Sequence, residues 1–146
     1  MLLVVVAFLA VFCTATFAGA AIYITLVEHP ARMLLDTRHA ALQWAPSYQR
    51  ATLMQAPLAV VACIAGLAVA MLGGGMVWYM AAVLIGSVVP VTLIGIAPTN
   101  RQLLAPGRDL DSDATRALLV RWGKLHAIRS VLSLVAVVLM LWQLIA

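Results

Sequence analysis

The sequence predicts an all-α integral membrane protein: four transmembrane helices in an up-down bundle, with an amphipathic interfacial helix between the first and second. Three observations carry this. Hydrophobic residues make up 65% of the 146 and charged residues only 10%, whereas a soluble domain is nearer half apolar and a quarter charged. The apolar residues come in four blocks, each close to the ~20 residues a helix needs to cross ~30 Å of hydrocarbon. The charged residues between the blocks fall in two stretches only. Backbone groups in lipid must be paired within their own element, which at these lengths leaves helices.

The chain reads as one membrane domain, residues 1–146. The first span, 2–27, carries no charge. Ala18-Gly19-Ala20 resembles a signal cleavage site, but no Lys or Arg precedes the apolar run and the run continues past it, so the segment is expected to stay. Gly19 and Tyr23, four apart, suggest a packing face. Cys13 and Cys63 sit inside apolar blocks as small hydrophobes, with no CxxC motif or disulfide framework. After the first span, Glu28, His29 and Arg32 arrive together around Pro30, which suits the first turn of a new helix. "ARMLLDTRHAALQW" then reads as the amphipathic helix. His39 belongs on its solvated face, and Trp44, Pro46 and Tyr48 are expected to end it. The second and third spans, 51–72 and 76–97, are joined by the uncharged Gly73–Gly75 link. Trp78, Tyr79, Trp142 and Gln143 read as an interfacial belt. "APTNRQLLAPG" follows as a loop or short helical turn. Asp111 or Ser112 then caps a helix over 114–146. Its membrane part is 127–146, with Arg129 as the one conspicuous flaw.

All nine Lys and Arg follow either the first or the third span. An even number of crossings puts both charged loops on one side, which the positive-inside rule makes cytoplasmic, with both termini outside, as in a bacterial inner membrane. The net charge of +4 is thereby explained as an orientation signal, and no nucleic-acid partner is called for. All five acids and all three histidines lie in or beside the same two stretches. Acid–base or metal chemistry therefore has one end of the bundle to occupy.

"RWGKLHAIRSVLS" holds the sharpest signal. At ~100° per residue, Trp122, His126, Arg129 and Ser133 share a stripe. A central Arg facing lipid costs ~2.5–3.5 kcal/mol on insertion scales, and snorkelling does not explain an Arg and a His together. The stripe is therefore expected to face inward. Its expected companions are Glu28 and His29 from helix 1, Tyr48 and Arg50 from helix 2, and Thr99 and Asn100 from helix 3. Each has a structural alternative: Glu28 pairing with Arg129 or Arg32, Asn100 capping a helix, His126 as a hydrogen-bonded packing residue. His29, His126 and Glu28 are a loose donor set for zinc or iron, without an HxxxH or ExxH pair on one helix. No cofactor is assigned from the residues; haem, iron or copper on the two histidines is the alternative.

"GAAIYITLVEHPAR", "WAPSYQRATLMQAPLA", "PTNRQLL" and "WGKLHAIRSVLSLVA" together resemble, in order, the anthrone-oxygenase-like family of small four-helix membrane proteins, many of whose bacterial members have no known substrate. The resemblance implies oxidation of an anthrone to an anthraquinone by dioxygen as co-substrate, without an obvious cofactor. The matching positions are Glu28, His29, Pro30 and Arg32; Trp44, Tyr48 and Arg50; Pro98, Thr99 and Asn100; and Trp122, His126 and Arg129. In that chemistry His126 is the candidate base, with His29 and Glu28 as the alternative pair. Arg129 and Asn100 are candidate donors to the enolate oxygen. Trp122 and Trp44 are candidate stacking surfaces, with Tyr48, Arg32, Arg50 and Thr99 as further substrate contacts.

The leading expectation is thus a membrane oxygenase or related oxidoreductase acting on a lipophilic phenolic or polycyclic aromatic substrate. The alternatives are a haem- or metal-binding redox protein, and a non-enzymatic accessory subunit or lipid- or quinone-binding protein. The expected partners are the lipid bilayer and the lipophilic substrate. A homo-oligomer or a larger membrane complex remains open.

Overall fold

A computed structural model describes residues 1–145, and among these it contains helices and no strand. Four helices are long and apolar enough to cross a membrane: α1 (Leu2–Arg32), α2 (Thr37–Gly74), α3 (Met76–Leu103) and α4 (Asp113–Ile145). Each packs on its neighbour in the chain, and α1 closes the ring against α4. Short connections make successive helices antiparallel, as an up-down bundle requires. The outer surface is apolar over most of its length, with exposed side chains such as Phe8, Leu53, Ile64, Leu93 and Val131. That surface fits a bilayer.

The core is built largely from small residues. Ala10 and Ala21 of α1, Ala59 and Ala62 of α2, Ala81 and Ala82 of α3, and Ala136 of α4 are all buried. Lipid supplies no hydrophobic drive for helices to associate, so close approach and dispersion contacts must do so, and small side chains permit that approach. Larger residues fill the axis: Phe17, Ile85 and Met140 toward the uncharged half, Trp44, Leu119 and Trp122 toward the charged half.

The expected interfacial segment is helical but not separate. Thr37–Val69 is one continuous α-helix that passes through Trp44, Pro46 and Tyr48. Asp36 starts it, its carboxylate accepting the His39 backbone N–H at 3.0 Å and lying 2.7 Å from the His39 ring. Those bonds hold the Asp36 carboxyl below its usual range. Pro46 and Pro57 each remove one i→i−4 donor, and both rings lie on the exposed side. The inner bonds and inward packing therefore survive. Pro30 likewise lies within the last turn of α1, and Pro98 lies in a helical stretch, Ala97–Leu103, that extends α3 beyond the apolar block.

At the other end Gly73 and Gly75 take φ of 99° and 88°, values that favour glycine, and reverse the chain in a tight link. Ser112 caps α4 as expected, its hydroxyl accepting the Thr115 N–H at 3.3 Å. Two surface readings are corrected. Trp78 is 3% exposed and belongs to the core, while Tyr79 and Trp142 do lie outside. Gly19 and Tyr23 also face outward, because the inward stripe of α1 runs through Phe17, Ala21 and Ile24.

Candidate functional site

The inward stripe of α1 is Ala10, Thr14, Phe17, Ala21 and Ile24, alternating steps of four and three as a helix face does. The next α-helical step would bring Glu28 inside. Instead Ile24–Glu28 forms one π turn, in which the His29 N–H bonds the Ile24 carbonyl five residues back. The extra residue rotates the face so that His29 and then Arg32 turn inward, both buried. Single π turns of this kind often mark functional positions. Another π segment, Val91–Ile96, interrupts α3 before Pro98.

Arg32 is the centre of one polar cluster. Its guanidinium bonds the Glu28 carboxylate and the Gln43 side-chain oxygen, reaches Ser47 Oγ at 3.3 Å and His29 Nδ1 at 3.4 Å, and Ser47 in turn donates to Glu28. A guanidinium only donates, so His29 Nδ1 is the acceptor. The opposite edge of the His29 ring lies against Gly123 of α4, where a Cβ would collide with His29 Nε2 and Cδ2. The cluster ties α1 to α2 and seats His29 on α4. Of the two pairings considered for Glu28, the one formed is with Arg32.

A second cluster lies deeper. His126 is 2% exposed. Its ring stacks on Trp122 with centroids 4.9 Å apart, and Trp122 also meets His29 at 5.2 Å and the edge of Trp44 at 5.8 Å, while Trp44 stacks on Tyr48 at 5.1 Å. His126 Nδ1 lies 3.1 Å from Thr25 Oγ1, which lies 2.7 Å from Ser130 Oγ, which donates to the Ala21 carbonyl at 2.9 Å. The inward face of α4 is thus Trp122, His126, Ser130 and Ser133. Arg129 flanks it and turns toward α2, donating to Gln55 Oε1 at 2.8 Å, with its guanidinium 5.3 Å from the Phe17 ring centroid.

His126, Trp122, Ile24, Tyr48, Gln55 and Arg129 line a crevice of only about 10 Å³, room for about one water. Tyr48, Thr52, Gln55 and Arg129 also line an adjoining cavity of about 200 Å³, completed by Phe17, Ala59, Val88 and Thr92. Its rim includes Thr52, Ala56 and Leu93, which lie on the outer surface of α2 and α3. Gln55 Nε2 and Arg129 Nε are buried without a protein partner. A larger cavity of about 510 Å³ sits at the opposite end between Leu3, Phe8, Trp78 and Gln143; it holds no titratable side chain, whereas Tyr48 and Arg129 line the smaller one.

Thr99 and Asn100 are buried, and the Thr99 hydroxyl and both Asn100 amide atoms lack protein partners, but neither residue lines the cavity. Arg50 is exposed. Trp44 and Trp122 are buried with unpartnered indole N–H groups. Glu28, His29 and His126 do not gather as three ligands, and no group of three His, Cys, Asp or Glu suited to a metal occurs among the described residues.

Sequence reasoning missed Thr25, Ser130, Gln55, Gln43, Ser47 and Gly123. Two had a signal. Gln55 continues the inward spacing Trp44, Tyr48, Ala51 along α2, and Ser130 stands four residues after His126. Gly123 had none, because its importance depends on which ring packs against it.

The sequence profile of the anthrone oxygenase family matches residues 44–139. Anthrone oxygenase ptaC of Pestalotiopsis fici is 35% identical over 127 residues, covering 75% of this chain and 90% of that protein. Anthrone oxygenase tpcL of Aspergillus fumigatus is 41% identical over 76 residues, covering 50% of this chain and 47% of that protein. No solved structure matches the chain. With more than half of its length matched by the family profile and a relative of this identity covering most of both chains, the protein belongs to the anthrone oxygenase family.

Proposed function

We propose that this protein is a membrane oxygenase that oxidises an anthrone, or a closely related polycyclic phenol, with dioxygen. The observation that carries the reading is the seating of His126: its ring is buried on Trp122, bonded at Nδ1 to Thr25, and set in a crevice whose wall is shared with the Arg129–Gln55 cavity. The named activity of the two relatives supplies the substrate class.

The substrate enters from the hydrocarbon between α2 and α3, where the rim is apolar apart from Thr52. Its carbonyl oxygen accepts from Arg129, and its acidic methylene turns toward the crevice that His126 lines, where one water relays the proton. His126 takes one methylene proton, and the negative charge moves onto the oxygen held by Arg129. Placing donors where charge develops, away from water, is the largest single source of rate in such reactions. The electron-rich anion passes one electron to dioxygen, and the two radicals join at the former methylene carbon as a hydroperoxide. Loss of the second proton with cleavage of the O–O bond leaves a new carbonyl. One oxygen atom stays on the ring, and the other departs as water with both methylene hydrogens. Dioxygen takes up all four electrons.

The whole chain is read as a single membrane unit. The gathering of Lys and Arg at one end supports placing that end in the cytoplasm, with both termini outside.

The test is oxygen uptake and quinone absorbance with an anthrone and purified protein in lipid nanodiscs. Turnover by the wild type and its loss in His126→Ala are expected. No turnover by the wild type, or equal turnover by the variant, overturns the reading.

A further inference from the structure

We propose that Thr25 and Ser130 are positioning residues that hold His126 as its Nδ1–H tautomer, leaving Nε2 as the basic nitrogen. This rests on the reading of His126 as the base and assigns which of its two nitrogens acts.

The hydrogens along one chain of contacts leave a single arrangement. The Ala21 carbonyl can only accept, so the single hydroxyl hydrogen of Ser130 is spent on it at 2.9 Å. Ser130 Oγ therefore accepts in its 2.7 Å contact with Thr25 Oγ1, and Thr25 is the donor there. Thr25 then has no hydrogen left for His126. Its 3.1 Å contact with Nδ1 is a hydrogen bond only if Nδ1 carries the proton. In the neutral ring one nitrogen donates and the other accepts. The lone pair is thus left on Nε2, which has no protein partner among the described residues.

Three features of the fold enforce the arrangement. Thr25 stands on the π turn of α1, Ser130 follows His126 by one turn on α4, and Ala21 stands one turn before Thr25. The same two helices therefore hold every member of the chain. Because it ends on a carbonyl, the chain cannot carry a proton away. Its effect is to choose a tautomer and an orientation. His29 shows the contrast: Arg32 donates to its Nδ1, so the neutral ring carries its hydrogen on Nε2, packed against Gly123.

The experiment is nitrogen-15 NMR of histidine-labelled protein in lipid bilayers at neutral pH, with the His126 signals assigned by their absence in His126→Ala. The wild type should show a protonated Nδ1 and an unprotonated Nε2. Ser130→Ala frees the Thr25 hydroxyl to turn and donate, and Thr25→Val removes the acceptor. Either should shift His126 toward the Nε2–H form and lower kcat about 10- to 100-fold, the loss seen when the partners that orient metal-ligating imidazoles are removed, with KM little changed. Thr25→Ser should restore both readouts. A wild-type ring protonated at Nε2 overturns the proposal, as does an unaltered tautomer in both Ser130→Ala and Thr25→Val. A tautomer shift with unchanged kcat overturns the positioning role. Because NMR reads the tautomer directly, it separates failure here from failure of His126 as the base.

Discussion

The two polar clusters in the charged half of the bundle draw on similar residue types and use them differently. Around Arg32 the groups are spent on one another: the guanidinium serves Glu28, Gln43, Ser47 and His29, and Ser47 returns a bond to Glu28. The His29 ring is shut in against Gly123. Around His126 the bonds stop short. Thr25 and Ser130 use up Nδ1 but leave Nε2, Gln55 keeps its amide N–H₂ free, and Arg129 keeps Nε free. Buried polar groups are ordinarily paired, so a closed network reads as architecture and an open one beside a cavity as a site. Burial alone would not separate the two histidines, since both are inside.

The comparison makes graded predictions. The largest effect belongs to His126→Ala, which should cut turnover about 10²–10⁴-fold, the usual contribution of a general base, while its unfolding temperature falls less than that of Arg32→Ala. Equal loss of turnover and of folding would erase the contrast with the closed cluster. Next is Arg32→Ala, which strands Glu28 in a largely buried setting (1% and 21% side-chain exposure for the pair). Breaking such a pair costs about 3–5 kcal/mol, so poor folding is expected. A well-folded Arg32→Ala that has lost only turnover would move the site to the Arg32 cluster.

Gly123→Ala should be milder. The added methyl must push the His29 ring aside, and overpacking of this kind costs about 1–3 kcal/mol. Unfolding temperature should drop while the KM of folded protein stays the same; an unchanged unfolding temperature would show that His29 is not seated there. Smallest is the acid response of Asp36, which lies outside both clusters. Its carboxyl sits below its ordinary value of 3.8 because the His39 N–H bonds the charged form. The stabilisation is therefore complete above that value and fades as pH falls through the lower native value. Asp36→Ala should lose that slight acid-side dependence with turnover at neutral pH intact, which unfolding and activity measured across pH would check.

Much of this was legible beforehand. Four apolar blocks and two charged stretches sufficed for four helices, because lipid leaves the backbone no other way to pair. The inward turn of His126 followed from the cost of placing it and Arg129 in lipid. What was misread concerns continuity and rotation. Pro30 and Pro46 looked like boundaries, yet the helices run through them. Proline removes one bond, and a long helix packed on its neighbours keeps its course without it. Ser130, rather than Arg129, completes the inward stripe after His126, a difference of one residue that periodicity at ~100° per step does not resolve.

The sequence by itself determined the class of molecule, its helix number, and the end at which the titratable residues gather, since these follow from transfer energies summed over many residues. Only the tertiary structure decided which histidine is sealed and which is open. That choice turns on one π turn rotating His29 inward, one glycine receiving its ring, and a chain of two hydroxyls and one carbonyl from two helices that ends at His126 Nδ1. Such contacts depend on ångström-scale placement between segments a hundred residues apart in the chain, and no local pattern of residues encodes them.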